Sequence, residues 1–391
     1  MGGASGAGTF QADKSWHPES LSIVGLGLLG ASLAEAARKR WPDLRITGVS
    51  SASTLERARL AGLADVTFEY PDIDKAVAGA DIVVLCTPID HIKSILQAWT
   101  LKPPEAKPGC IITDVGSTKT EICALGRKAF PTYGKQGAVF IGSHPMAGSE
   151  KTGLEARDPL LFQNASWVLC AEEVPDETLQ LTEAADRLQQ FAQALGARTT
   201  RMTAELHDKV AAHVSHLPQL LSTALASYIG ERRTVVENCL QIAGGGFRDM
   251  TRLAASSFSV WEPILKSNLS AVREVTAGFQ EHLAAFEAGL EWDLGKDFFK
   301  EGNRLRSQLS TSKKGFVLPL AEILVDLEDK PGALVRAFSP LAEAGINVLD
   351  VEILKVREGE GGTLMMGFHG MDDANAALGR LAAAGFKARL R

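Results

Sequence analysis

The chain contains no run of about 18 consecutive apolar residues, so no segment reads as a membrane-spanning helix. It has no block of Lys and Arg and no basic stretch interleaved with aromatics, which make up only 6% of it. Together with a net charge of −6, that argues against nucleic acid as the main partner. Cysteine is scarce as well. Cys86, Cys110, Cys123, Cys170 and Cys239 are odd in number and never form a Cys-x-x-Cys pair. A disulfide framework and a zinc site are thereby disfavoured, and buried thiols in a reducing cytoplasm are expected. Residues 1–19 are rich in Gly, Ala and Ser and lack a basic head followed by an apolar core. They read as a disordered tail and not as a secretory signal.

At 391 residues the chain has room for two or three domains with their own cores. Its texture changes twice. Residues 20–203 alternate strand-like and helical runs, as in an α/β domain of the Rossmann type with a parallel sheet covered on both faces. Residues 204–312 are helical in pattern throughout, with enough apolar face to pack on a second copy, so a homodimer is expected. Residues 318–391 read as strand, helix, strand, strand, helix, strand, a small α+β ferredoxin-like unit.

The first domain opens with Leu21-Ser22-Ile23-Val24, then Gly25-Leu26-Gly27-Leu28-Leu29-Gly30, then an Ala-rich helix and a second strand at Arg45-Ile46-Thr47-Gly48-Val49. Three glycines alone are weak evidence. In this strand–turn–helix–strand setting they predict a dinucleotide site, with the pyrophosphate on the helix N-terminus. The acid that would grip the ribose of NAD is missing; Ser50 and Ser51 hold its place, with Ser53, Thr54 and Arg57 behind. Hydroxyls and a guanidinium lean toward NADP or toward use of both cofactors. Cys86-Thr87-Pro88 and Asp114-Val115-Gly116-Ser117-Thr118-Lys119 follow later strands on the same rim.

That rim also carries Gly142-Ser143-His144-Pro145-Met146-Ala147-Gly148-Ser149-Glu150, which its Gly and Pro content marks as a loop leaving a strand. His144 titrates near neutrality and is the candidate proton acceptor for a hydroxyl, with a merely solvated surface-loop histidine as the alternative. Ser117 is either its hydrogen-bonding neighbour or the N-cap of the helix that follows, or both. His207, His213 and His216 cluster within ten residues but lack the spacing of a helical metal site, so no metal is expected. Gly244-Gly245-Gly246-Phe247-Arg248-Asp249-Met250-Thr251-Arg252 breaks the helices and offers Arg252 as a clamp for a carboxylate, with a salt bridge to Asp249 as the alternative. In the last segment, Asp329-Lys330-Pro331-Gly332-Ala333 at a helix mouth, beside Gly345-Ile346-Asn347, offers amides for an amino-acid carboxylate.

Taken together, G-S-H-P-M-A-G-S-E, S-H-L-P and G-G-G-F-R-D-M-T-R resemble the prephenate/arogenate dehydrogenase family in its form with a C-terminal ACT domain. The resemblance covers nearly the whole chain after the tail. It implies oxidative decarboxylation of prephenate to 4-hydroxyphenylpyruvate on the route to tyrosine, with an amino acid, most simply tyrosine, as feedback effector. By the same resemblance His144 takes the C4 hydroxyl proton, Ser117 stands beside it and Arg252 holds a substrate carboxylate. Glu150, Ser215, Gly245, Asp249 and Trp261 line the pocket, Trp261 reaching in from the partner subunit. Two departures stand out: Gln219 replaces a His after S-H-L-P, and Ser257-Phe258-Ser259-Val260 replaces an Asp-Pro before Trp261. Arogenate, with an amine in place of the ketone, is the alternative substrate. A non-catalytic sensor of nucleotide and amino acid is the alternative from another class.

Overall fold

Ile82-Val83-Val84-Leu85 is apolar at every position, a pattern that a strand can bury only when both faces of its sheet are covered. The computed structural model describes residues 16–131, 137–148, 151–171, 179–232, 234–290, 295–308, 320–357 and 361–391. They fall into two compact units, one ending with the helix Leu269–Leu290 and one beginning with the helix Gly295–Gln308.

In the first unit, β1 (Ser20–Val24), β2 (Arg45–Ser50), β3 (Val66–Glu69), β4 (Ile82–Leu85), β5 (Ile111–Asp114), β6 (Val139–Pro145), β7 (Ser166–Cys170) and β8 (Arg198–Arg201) form one sheet. Their order is β3-β2-β1-β4-β5-β6-β7-β8. Strand order reverses between β1 and β4, the place where open α/β sheets bind ligands. Ile82 and Val84 enter one apolar core while Val83 and Leu85 enter another, so both faces are covered.

The sheet is not parallel throughout. β7 runs antiparallel to β6, and β8 is parallel to β7. A parallel pairing needs a long crossover, usually a helix. The described residues between β6 and β7 contain only the short 3-10 turn Leu154–Ala156. That pairing also corrects the reading of Gly142 to Pro145 as loop: they are the last part of β6, with Gly142 opposite Cys170 and His144 opposite Val168. Local Gly and Pro content lost to a ready partner strand, and Pro145 is tolerated because it ends the strand.

Beyond β8 the chain is helical. Ala204–Ala211 passes through a π turn, Ala212–His216, directly into Leu217–Gly230. Pro218 has no amide to return to the preceding turn, and the wider turn accommodates that loss. Among the described residues, no helix is long and apolar enough to cross a membrane.

In the second unit, β9 (Ala321–Leu327), β10 (Asp350–Arg357), β11 (Gly361–Phe368) and β12 (Ala388–Leu390) form an antiparallel sheet ordered β10-β11-β9-β12. Helices Ala333–Glu343 and Met371–Ala383 complete the strand–helix–strand–strand–helix–strand pattern. The strand expected from Ile346 starts only at Asp350.

Candidate active site

The nucleotide cradle is built mainly from backbone. Gly25 has φ +100° and donates its amide to the Val49 carbonyl at 2.7 Å; a Cβ there would meet the Cys86 carbonyl group at 2.9 Å. Only glycine combines that φ with that approach. A Cβ on Gly30 would collide with the Gly25 carbonyl, so Gly30 sets how closely the first helix packs on the turn. Gly27 differs: a Cβ there would meet nothing within 4 Å. It caps Leu28–Arg40 without a side-chain hydrogen bond, leaving first-turn amides near Leu28 and Leu29 open to an anion. Beside Gly25, Thr87 ahead of Pro88 is buried, and its hydroxyl has no partner among the described residues. Open space over Gly27, an unpaired buried hydroxyl and an uncapped helix fit the pyrophosphate of a dinucleotide.

At the ribose end, Ser50 is buried at the close of β2, and Ser51 precedes the helix Ala52–Leu60. Arg57, expected to be available for a phosphate, is already engaged. It pairs with Glu155 at 2.8 Å and reaches Thr54 Oγ1 at 3.3 Å.

The base is built from side chains far apart in sequence. His144 is 9% exposed, and its Nδ1 lies 2.9 Å from Nε2 of His207. His207 Nδ1 lies 2.8 Å from Oδ1 of Asp208, and both residues are buried. The Asp208 carboxylate also accepts from the amides of Lys119 at 2.7 Å and Thr120 at 2.8 Å. Burial alone would raise its pKa, but the hydrogen bonds from His207 and those amides outweigh it and hold the carboxyl below the usual range. An ionised Asp208 assigns the tautomers in turn. His207 donates from Nδ1 and accepts at Nε2, so His144 donates from Nδ1 and keeps its Nε2 lone pair for a ligand. Burial, then the neighbouring His207, Lys119 and His216, push the His144 pKa well below its ordinary value of 6.5, so the ring is a neutral base at neutral pH.

Behind β6, Lys119 and Asp114 form a fully buried ion pair. Lys119 Nζ also donates to the Ser143 carbonyl at 2.9 Å, and the Ser143 amide donates to Asp114 Oδ1 at 3.2 Å. Trp167 Nε1 donates to Ser143 Oγ at 3.0 Å. Ser143, immediately before His144, is therefore held from three sides, twice through its backbone and once through its hydroxyl. Removing one member of such a buried pair costs about 3–5 kcal/mol.

Residues 33–200 match the family described as prephenate dehydrogenase, nucleotide-binding domain; 203–301 match its dimerization domain; and 321–379 match the ACT domain. A prephenate dehydrogenase of Lactococcus lactis is 30% identical over 92% of this chain and 96% of its own length. The chain belongs to the prephenate dehydrogenase family. A cyclohexadienyl dehydrogenase of Zymomonas mobilis is 30% identical over 74% of this chain and 96% of its own length. Among solved structures, arogenate dehydrogenase from Synechocystis superposes with a TM-score of 0.61 at 29% identity, covering 74% of this chain and 99% of that one. Prephenate dehydrogenase from A. aeolicus with hydroxyphenyl propionate and NAD+ gives 0.65 at 25% identity, covering 76% and 100%. The family membership makes this chain an oxidoreductase with an NAD-binding Rossmann domain and an ACT domain.

The remaining residues expected at the site of this family member fall into three groups. Ser117 is half-buried in the turn after β5 and makes no hydrogen bond among the described residues. It is not the N-cap of Thr120–Ala129, because Asp208 takes the free amides there from another helix. Ser215 lies half-buried in the π turn, next to the buried His216. Trp261, expected from a partner subunit, packs edge-on against the chain's own His216, with ring centroids 6.0 Å apart. Gln219, in the place of a His, is buried and donates to the Leu253 carbonyl at 2.9 Å, and its Oε1 has no partner among the described residues.

Gly245, Asp249 and Arg252 are exposed on the short helix Gly245–Thr251 and the turn after it. Among the described residues Arg252 pairs neither with Asp249 nor with His144, so the salt-bridge alternative is not what the structure holds. Glu150 lies outside the described residues. In the ACT unit Asp329, Pro331 and Gly332 are exposed and Ala333 is buried; Asn347 is exposed before β10. One amide expected to be open there is used: Ala333 donates to the Lys330 carbonyl at 3.1 Å.

Reading the sequence missed His207, Asp208, Asp114 and Lys119. His207 and Asp208 are adjacent, and Asp114 and Lys119 flank Ser117, but nothing local says that these polar groups point inward. The histidine cluster also divides. His216 is buried, while His213 is exposed and bonded to the Lys209 carbonyl. At about 3.6 residues per turn, a regular helix would carry position 216 half a turn from position 207. The π turn inserts an extra residue and brings it back toward the same side.

Proposed function

We propose that the chain oxidatively decarboxylates prephenate to 4-hydroxyphenylpyruvate using NAD or NADP. The observation that carries the reading is the Asp208–His207–His144 chain, which leaves one imidazole nitrogen as an unprotonated, buried base. The dinucleotide, when bound, accepts a hydride. His144 Nε2 takes the C4 hydroxyl proton as the C4–H bond breaks, with His207 and Asp208 spreading the positive charge. The bond to the ring carboxylate then breaks, CO2 leaves, and its electron pair aromatises the ring; the proton returns to the phenolic oxygen. Ser117 hydrogen-bonds the same hydroxyl, and Arg252 holds a substrate carboxylate, with Glu150, Ser215, Gly245, Asp249 and Trp261 shaping the pocket.

Arogenate is the second reading, supported by the 29% identity to the Synechocystis arogenate dehydrogenase. A homodimer is supported by the match to a dimerization domain and by apolar side chains left open in the helical region, such as Ile242 at 85% exposure. The ACT unit binds an amino acid, most simply tyrosine, at the turn before Ala333–Glu343. The test is nicotinamide reduction, followed by absorbance, with prephenate or arogenate against NAD and NADP, with and without tyrosine. Turnover with prephenate is expected. Turnover with arogenate alone changes the substrate and keeps the chemistry, and no turnover with either overturns the reading.

A further inference from the structure

Four features converge at the ribose end of the cradle. No carboxylate follows β2, where Ser50 and Ser51 stand instead. At the start of Ala52–Leu60 the Ser51 hydroxyl lies 3.4 Å from that of Ser53 and 3.1 Å from that of Thr54. Arg57, one turn further on, reaches back over them to the Ser53 carbonyl and Thr54 Oγ1, each at 3.3 Å. Its third nitrogen, Nη1, donates to Glu155, 98 residues away in sequence, at 2.8 Å.

The position of Glu155 is built. Leu154 beside it is 3% exposed in the core. Arg157 pairs with Glu35 at 3.2 Å, and the Asp158 amide donates to Ser32 Oγ at 2.9 Å, both on the first helix. The segment is thus pinned to the helix that receives the pyrophosphate, with its carboxylate aimed at the Arg57 guanidinium beside the hydroxyl cluster.

We propose that Glu155 is the cofactor-selectivity residue of this chain: its carboxylate holds the anion position at Arg57 that a 2′-phosphate would otherwise occupy. The inference rests on the dinucleotide-dependent reading above. NAD+ brings no charge to this position and leaves the pair intact. NADP+ must displace Glu155 and then suffer its repulsion. The acid that discriminates against the phosphate thus comes from the segment after β6 and not from the end of β2. Both partners are solvent-exposed, so the pair is weak enough to be displaced and to be screened by salt.

The experiment is calorimetric titration of the full chain with NAD+, NADP+ and adenosine 2′-phosphate. Glu155→Gln should tighten NADP+ and adenosine 2′-phosphate about tenfold, as expected for releasing an Arg to a phosphate, while NAD+ changes less than about twofold. Arg57→Gln should abolish that gain, and the double variant should behave as Arg57→Gln does. A ratio of NADP+ to NAD+ affinity unmoved by Glu155→Gln overturns the assignment and leaves the dehydrogenase reading standing. Binding of neither dinucleotide by the parent chain overturns both.

Discussion

The two halves of the site use different material. The cradle at Gly25, Gly27 and Gly30 is made chiefly of backbone within six consecutive residues. The base is made of three side chains, His144, His207 and Asp208, on β6 and on a helix whose register no local rule connects to it. A backbone site is specified by what must be absent, namely Cβ atoms, and absence is visible in a sequence. A side-chain relay is specified by which buried groups meet, and that is set by packing.

The largest effect should come from the nitrogen proposed to take the proton. His144→Asn is expected to lower kcat by about a thousandfold, within the usual range for a general base, with NAD+ affinity measured by titration unchanged. Retained turnover would return His144 to a structural part. One step back, His207→Asn should cost about 10–100-fold in kcat, as loss of an orienting hydrogen bond does. It should also change the pH profile. With neutral His144 as the proposed acceptor and its pKa depressed, the acid limb of kcat/KM in the parent should lie below 6.5. His207 accepts from His144 Nδ1 and is also among the causes of that depression, so the limb should move in the variant. An unmoved limb would leave His207 a packing residue.

Smaller effects separate binding from fold. Arg252→Gln should raise KM for a carboxylated substrate about tenfold while kcat changes little. No change in KM would make its exposed position incidental. Gly27→Ala should leave Tm unchanged, since a Cβ there meets nothing within 4 Å, while weakening NAD+ several-fold. Gly30→Ala, whose Cβ would strike the Gly25 carbonyl, should lower Tm as well. Equal falls in Tm for the two would erase the distinction between a ligand glycine and a packing glycine.

Much of the architecture was legible because its signals are local. Alternating runs announced the α/β sheet, a second change of texture announced the ferredoxin-like unit, and G-S-H-P together with G-G-G-F-R-D-M-T-R carried the family. His144 was legible as a candidate base because its loop follows a strand on the carboxyl rim of the sheet. Its setting was not. The reading of Gly142 to Pro145 as loop followed Gly and Pro content, and the structure pairs them with β7 instead. Arg57 was legible as a cation close behind β2, but Glu155, which pairs with it, stands 98 residues away.

What the sequence by itself determined is the backbone-dependent part: the glycine turn, the domain order and the residue types on the carboxyl rim. These depend on φ, on missing side chains and on short periodicities, all of which are properties of consecutive residues. Only the tertiary structure decided that Asp208 caps a foreign helix while fixing the tautomer of His207, and that His207 in turn frees one nitrogen of His144. Hydrogen bonds between buried side chains have no sequence period; they exist where two elements pack in one register, and the packing of the whole core sets that register.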